Sequence, residues 1–284
     1  ERSVKALHYI LLAIIALVFV LPLIWLVVAS FDMGANQSLK WPDQWTFSNY
    51  ANVLTNASNL KGFGIGLVIA GVQALVVCVI SVLAAYPLSR YNLCYKKGLM
   101  YGILFMTALP MIAVIVPVYK MFLKIGLLDS IPGVILYLSA SALPYGIWLM
   151  KNFMDAIPVE LEEACFVDGG GPWRNLISIY VPLAKPMVAT VALFTMVMYW
   201  NEFFQGMVLS TRQTSYPLQT YIQQMVVTLD YSTMNVDQIA QAMKLNNLSL
   251  DSAKIFIAMI PVLIVYPFLQ RYFVEGITLG SVKG

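Results

Sequence analysis

Apolar residues run almost unbroken over 9–29, 64–89, 99–122, 131–150, 183–207 and 253–272. Each run reaches the roughly 20 residues that a helix needs to cross a bilayer. The runs are solid, whereas a membrane β-barrel alternates weakly over about ten residues. The pattern predicts an all-α membrane protein with six transmembrane helices, folded as one membrane domain over 1–284. Three polar stretches stand out between the runs, at 30–63, 151–182 and 208–252. In the first, Phe47, Tyr50, Ala51 and Leu54 fall at helical spacing beside Trp41 and Trp45. A short helix lying at the interface, held there by aromatic side chains, follows from that pattern. Pro110, Pro117, Pro144, Pro261 and Pro267 fall inside apolar runs and predict kinked helices. The glycines of 62–71 read as small residues for close helix packing.

Composition closes off the soluble alternative. Hydrophobic residues make up 60% of the chain and charged ones 11%, with a mean hydropathy of +0.77. Soluble domains carry about 25% charged residues. The first run is too long for a secretory leader and shows no cleavage signal, so it is expected to stay in the mature chain. A net charge of +3 gives no reason to expect a nucleic-acid partner. Cys78, Cys94 and Cys165 are scattered without metal-ligand spacing or a disulfide framework. No Gly-x-x-x-x-Gly-Lys-Ser/Thr occurs, so the chain has no phosphate-cradling loop of its own. With no nucleophile–base pairing either, no catalysis is read in this polypeptide and no cofactor is expected in it.

Charge distribution adds an orientation. Six spans put both termini on one side. That side, with the 90–97 loop and the 151–182 stretch, holds Arg2, Lys5, Arg90, Lys96, Lys97, Lys151, Arg174, Lys185, Arg271 and Lys283. These are ten of the seventeen basic residues, and the opposite loops are longer. The bias predicts cytoplasmic termini and a cytoplasmic 151–182 stretch.

That stretch is the most charged and punctuated part of the chain. Pro158 suits a first helical position, and Glu160, Glu162 and Glu163 complement the dipole of a first turn. Leu161, Ala164 and Cys165 make a small apolar face. Gly169-Gly-Gly171 ends that helix, and Pro172 starts another in which Trp173, Leu176, Ile177 and Tyr180 share a face before Pro182. Two short amphipathic helices, 158–168 and 172–181, are expected, hinged on three glycines. Such a handle can dock in a groove of a soluble partner, or it can simply cap the bundle; the residues alone leave both readings open. The fifth run carries Tyr199-Trp-Asn-Glu-Phe-Phe-Gln205. Ionisable residues this deep in a run usually face a bundle interior or cavity. Tyr199, Trp200, Asn201, Glu202 and Gln205 are therefore candidates for a translocation path, with a structural helix–helix hydrogen bond as the alternative for Asn201 and Glu202.

Glu163-Ala-Cys-Phe-Val-Asp-Gly169, followed by Ile179-Tyr-Val-Pro182, resembles the EAA loop of ABC importer permeases. Pro22-Leu-Ile-Trp25, Ala85-Tyr-Pro-Leu-Ser-Arg90, Ile115-Val-Pro-Val-Tyr119, Gly126-Leu-Leu-Asp129, Trp200-Asn-Glu-Phe203 and the ending Gly280-Ser-Val-Lys-Gly284 extend the likeness along the whole chain. Together they resemble the carbohydrate branch, the maltose-type permeases. Cys165 and Val181 depart from the family's Ala and Leu. Tyr266-Pro-Phe-Leu-Gln-Arg-Tyr-Phe273 is more similar to the sub-branch for polysaccharide-derived oligosaccharides.

The resemblance implies a type I ABC importer permease fold in a bacterial cytoplasmic (inner) membrane. It implies a second homologous permease subunit, two ATPase subunits that bind ATP and Mg, and an external solute-binding protein. The implied activity is import of an oligosaccharide by alternating access; an acidic, polysaccharide-derived one such as alginate falls within it. A permease for another small solute, or a secondary transporter, are the alternatives. Carried onto this chain, the implied ATPase-coupling residues are Glu162, Glu163, Ala164, Asp168, Gly169 and Arg174. The tail Gly280, Ser281, Val282 and Lys283 would reach the ATPase interface. Tyr216, Gln219 and Tyr221 of the 208–252 stretch would meet the binding protein.

Overall fold

The computed structural model describes the backbone of residues 2–33, 35, 41–42, 44–200, 202, 204–210 and 248–281. The described elements are helical: α1 (Arg2–Ser30), α2 (Ser48–Thr55), α3 (Ala57–Arg90), α4 (Lys96–Thr107), α5 (Met111–Ile125), α6 (Ile131–Asp155), α7 (Glu160–Val167), α8 (Pro172–Leu183), α9 (Lys185–Trp200), α10 (Phe204–Leu209) and α11 (Leu248–Ser281). Four of them, α1, α3, α6 and α11, are long and apolar enough to cross a membrane alone. The pairs α4–α5 and α8–α9 raise the total to six if each bent pair is one span.

The bends sit at prolines. α4 and α5 meet at 95°, with Pro110 as the extended residue before α5. The run 99–122, expected as one kinked span, is two helices broken at Pro110 and continuous through Pro117. Proline has no N–H for the ladder and drives the residue before it out of the helical region. α8 and α9 meet at 70°, and Ala184 separates them just before Lys185-Pro186. Pro22, Pro87, Pro117, Pro144, Pro261 and Pro267 lie inside helices that continue through them. The expected fifth run, 183–207, is also interrupted between Trp200 and Phe204.

The chain divides into two compact units. The first comprises 1–63 and 221–260. Here every residue of α1 from 5 to 24 is exposed, as expected of a span whose apolar surface is left to lipid or a partner. α2 forms where its pattern predicts, but its apolar face does not turn inward. Phe47, Ala51 and Leu54 are exposed, and Asn49 and Val53 are buried instead. Asn49 Nδ2 donates to the carbonyls of Ser30 (2.9 Å) and Asp32 (3.1 Å), stitching α2 to the end of α1. Tyr50 is 4.9 Å from Phe31 and 6.3 Å from Phe256 between ring centroids. Its hydroxyl hydrogen-bonds Ser30 Oγ.

The second unit comprises 64–220 and 261–284. Its core joins α3, α6, α8 and α9 through Val77, Val82, Ala85, Met150, Met154, Leu176, Met187 and Val191. On α3, the buried residues Ile69, Gln73, Val77, Ser81 and Ala85 recur every fourth position, one seam of a helix. Gly146 of α6 lets that seam close: a Cβ there would fall 2.6 Å from Ser81 Oγ and 3.1 Å from Val77 Cγ1. Close packing is absent at Gly64 and Gly71, where a Cβ would meet nothing within 4 Å. At these two glycines the expectation of tight helix contact does not hold within the chain.

Candidate functional site: the 157–183 handle and its anchor

α7 starts with Glu160, Glu162 and Glu163 in its first turn, as its dipole favours. It ends in a Schellman motif. Gly169 adopts φ +75°, its N–H donates to Phe166 O (3.0 Å), and the Gly170 N–H donates to Cys165 O (2.8 Å). Gly169 is needed for the left-handed backbone. Gly170 is needed for space, because a Cβ there would lie 2.5 Å from Cys165 Sγ and 2.8 Å from Cys165 O. Gly171 then precedes Pro172, the first residue of α8. Two helices and a glycine hinge thus form as expected, with one difference. Leu176–Tyr180 is a π turn closed by the Val181 N–H on Leu176 O. Pro182 follows and brings no N–H to the ladder.

The faces expected to be apolar are split. Leu176 and Tyr180 are buried, whereas Trp173 and Ile177 are 69% and 63% exposed. On α7, Leu161 and Ala164 are exposed and Cys165 is half-buried. The side chain that α7 turns inward is Glu162, 6% exposed. Among the expected coupling residues, Glu163, Ala164, Asp168, Gly169 and Arg174 are exposed. Glu162 is set apart from them.

A buried carboxylate must be paired and hydrogen-bonded. Tyr86 Oη donates to Glu162 Oε1 (3.2 Å) and Tyr180 Oη donates to Glu162 Oε2 (3.0 Å). Asn175 Nδ2 donates to Tyr86 Oη (3.1 Å). Arg90 Nε stands 3.5 Å from Glu162 Oε2, an ion pair in which both side chains are 8% exposed. The same guanidinium lies 4.9 Å from the Tyr180 ring centroid. Its Nη2 donates to the carbonyls of Met154 (2.8 Å) and Ile157 (2.6 Å), which closes off the end of α6. Ser89 Oγ adds a bond to Asp155 Oδ1 (2.7 Å). One guanidinium and one carboxylate therefore tie together the ends of α3 and α6, α7 and α8. Sequence reasoning did not separate Glu162 from Glu163. The usable signal was Tyr86 and Arg90, four apart on one helix face, at the end of a span where a charge needs a partner.

The second candidate cluster lies at the interruption after α9. Tyr199 and Trp200 are buried and Glu202 is half-buried. The Glu202 N–H donates to Tyr199 O (2.8 Å), and Glu202 Oε1 accepts from the Gln205 N–H (3.0 Å), capping α10. Gln205 Nε2 bonds Met111 Sδ of α5. Tyr199 Oη and Gln205 Oε1 are buried without a hydrogen-bond partner among the described residues. Trp200 instead lines a shallow apolar crevice with Met196, Val197, Pro261, Val262 and Val265. Asn201, Phe203, Tyr216, Gln219, Tyr221, Val282 and Lys283 lie outside the described residues. Gly280 and Ser281 fall in the last turn of α11. Among the described residues no group of three His, Cys, Asp or Glu side chains could hold a metal ion.

Long apolar helices with an exposed helical pair between them define the class: a multi-span membrane protein. The chain belongs to the binding-protein-dependent transport system inner membrane components, whose family model matches residues 77–279. It is the permease component of an ABC importer, not the ATP-hydrolysing one. The secondary-transporter alternative falls with that assignment. The chain is similar to the diacetylchitobiose uptake system permease protein NgcG of Streptomyces coelicolor, 28% identical over 100% of this chain and 90% of that one. It is similar to the polygalacturonan/rhamnogalacturonan transport system permease protein YtcP of Bacillus subtilis, 29% identical over 100% of this chain and 99% of that one. Among solved structures it resembles a bacterial ABC transporter involved in the import of the acidic polysaccharide alginate. That match has a TM-score of 0.81 and 28% identity, covering 96% of this chain and 97% of the other.

Proposed function

We infer that this permease imports an oligosaccharide released from a polysaccharide, and that partner ATPases drive it through the 157–183 handle. The observation that carries the handle's role is its two-sidedness. Glu162 holds it inward, while Glu163, Ala164, Asp168, Gly169 and Arg174, with Trp173 and Ile177, stay exposed for a partner. The working assembly has a second homologous permease subunit, two ATPase subunits that bind ATP and Mg, and an external solute-binding protein. The basic-residue bias supports cytoplasmic termini and a cytoplasmic handle. The binding protein delivers sugar to the 31–63 and 208–252 loops, where Tyr216, Gln219 and Tyr221 are its proposed contacts. ATP closes the ATPase dimer on the handle, the spans rock outward, and hydrolysis reopens the inward side. The tail from Gly280 to Lys283 reaches toward the ATPase dimer interface.

The substrate class rests on relatives named for diacetylchitobiose, polygalacturonan or rhamnogalacturonan, and alginate. Two of these are uronate polymers, which favours an acidic oligosaccharide. Tyr199 Oη and Gln205 Oε1 offer hydrogen-bonding capacity to sugar hydroxyls, beside Trp200 and Glu202. The test of the handle is ATP hydrolysis by the purified complex with loaded binding protein. Gly169→Pro cannot adopt φ +75°, and Glu163→Lys reverses an exposed charge. Both are expected to insert in the membrane and to lose most of the stimulation; normal stimulation in both would overturn the role. For the substrate, a deletion strain is expected to lose uptake of pectin- or alginate-derived oligosaccharides. Retained uptake of every oligosaccharide would overturn the class.

A further inference from the structure

We propose that Glu162 is a positioning residue for energy coupling: it pins the handle to α3 and α6, so that force on the handle's outer face moves those helices as one body. The proposal rests on the docking role of the handle and adds how motion leaves it. Glu162 is not available to an ATPase surface, because its carboxylate is buried and both oxygens are engaged within the chain. Its partners are drawn from two helices, Tyr86 and Arg90 from α3 and Tyr180 from α8, and Arg90 continues to the carbonyls of Met154 in α6 and, just beyond, Ile157. Asn175 of α8 buttresses Tyr86.

The apolar core around this network also joins α3, α6, α8 and α9, but it does so without direction. Packed side chains can slide by a rotamer, whereas a charged hydrogen bond weakens steeply once its geometry is lost. Three polar side chains converging on one carboxylate, with Asn175 behind Tyr86, therefore resist sliding of α7 and α8 along the end of α3. Arg90 is the branching point: its guanidinium is ion-paired with Glu162 at 3.5 Å, and its Nη2 hydrogen-bonds the carbonyls of Met154 and Ile157. A handle attached by apolar contact alone would yield under load; a handle pinned at Glu162 transmits it.

The experiment uses the whole complex in lipid nanodiscs, with partner permease, ATPase subunits and binding protein. A mixed enzymatic digest of alginate and polygalacturonan is the sugar probe. Two quantities are read on assembled complex: amide hydrogen exchange over 160–183 and sugar transported per ATP hydrolysed. Glu162→Gln keeps the size and shape but removes the charge and turns one accepting oxygen into a donor. It is expected to assemble, to raise exchange in the handle about tenfold, and to lower sugar moved per ATP at least fivefold. Tyr180→Phe removes one oxygen and should give an intermediate change in both; it decides the matter if Glu162→Gln does not assemble. Met150→Ala opens a cavity in the same core and serves as the control for mere destabilisation. It should lower the melting temperature yet leave sugar per ATP unchanged.

Wild-type exchange and transport ratio in Glu162→Gln or, failing assembly, Tyr180→Phe would overturn the pin. So would a Met150→Ala complex as uncoupled as Glu162→Gln. If Gly169→Pro and Glu163→Lys leave stimulated hydrolysis intact, the docking role itself is wrong. That outcome is separate from failure of the pin.

Discussion

Glu162 and Glu202 are both carboxylates placed beside tyrosines in the same unit, and the chain surrounds them differently. Around Glu162 both oxygens accept from tyrosine hydroxyls, a guanidinium lies at 3.5 Å, and Asn175 supports one of the tyrosines. Around Glu202 one oxygen caps α10, while Tyr199 Oη and Gln205 Oε1 have no hydrogen-bond partner among the described residues. Leftover polar atoms occur in both clusters, since Arg90 Nε and Asn175 Oδ1 also lack a hydrogen-bond partner among the described residues. The difference lies at the carboxylates: Glu162 is tied to α3 and α8, and such a network rigidifies, whereas Glu202 caps the helix that follows it. The spare capacity beside Glu202, at an interrupted helix, is what the proposed translocation path would use.

Four substitutions would break or sharpen that contrast. Arg90→Ala should have the largest effect, because it strands Glu162 and uncaps α6. Breaking a buried pair costs about 3–5 kcal/mol, so the yield of monodisperse complex should collapse; a wild-type yield would show that Glu162 does not need its cation. Tyr180→Phe removes one bond to a charged group, and a loss of about 1.5–3 kcal/mol is expected in thermal unfolding in detergent. Gly170→Ala asks whether the hinge itself is as tightly specified as the pin. Overpacking against the Cys165 carbonyl should cost about 1–3 kcal/mol, read as a lower melting temperature. Tyr199→Phe should do least to stability, since its hydroxyl has no hydrogen-bond partner among the described residues to lose. Its effect belongs in transport: one lost hydrogen bond to a sugar, about 1 kcal/mol, is roughly a fivefold weaker apparent affinity in uptake assays. A Tyr199→Phe protein that unfolds more easily but transports normally would reverse the contrast.

The spans were legible because burial in lipid demands long apolar runs, and nothing short-range competes with that signal. α1, α3, α6 and α11 follow their runs closely, extending beyond them by a few residues to either side. The bends were legible only in part. Pro110 marks a 95° turn and Pro144 a continuous helix, and the two prolines look alike in sequence. What differs is the packing around them. The handle's helix ends were readable from Gly169 and Pro172, because φ > 0 and a first-turn proline are local requirements. Its inward and outward faces were not. The apolar pattern put Leu161, Ala164 and Cys165 on one face without fixing which way it turns, and Tyr86 and Arg90 hold Glu162 inward. The spacing of Tyr86 and Arg90 marked a face in need of a partner, but not which glutamate would meet it.

The π turn at Leu176–Tyr180 fits one more residue than an α-helix would into the same rise. Each residue of an α-helix advances the rotation by about 100°. Deleting one residue within the turn would restore a regular ladder and swing Tyr180 about a quarter-turn away from Glu162. The α8 segment is therefore length-locked. Substitutions of Trp173, Arg174 or Ile177 on its outer face bear on docking alone, whereas deletion of Ser178 would unseat the pin while leaving Glu162, Arg90 and Tyr180 all present.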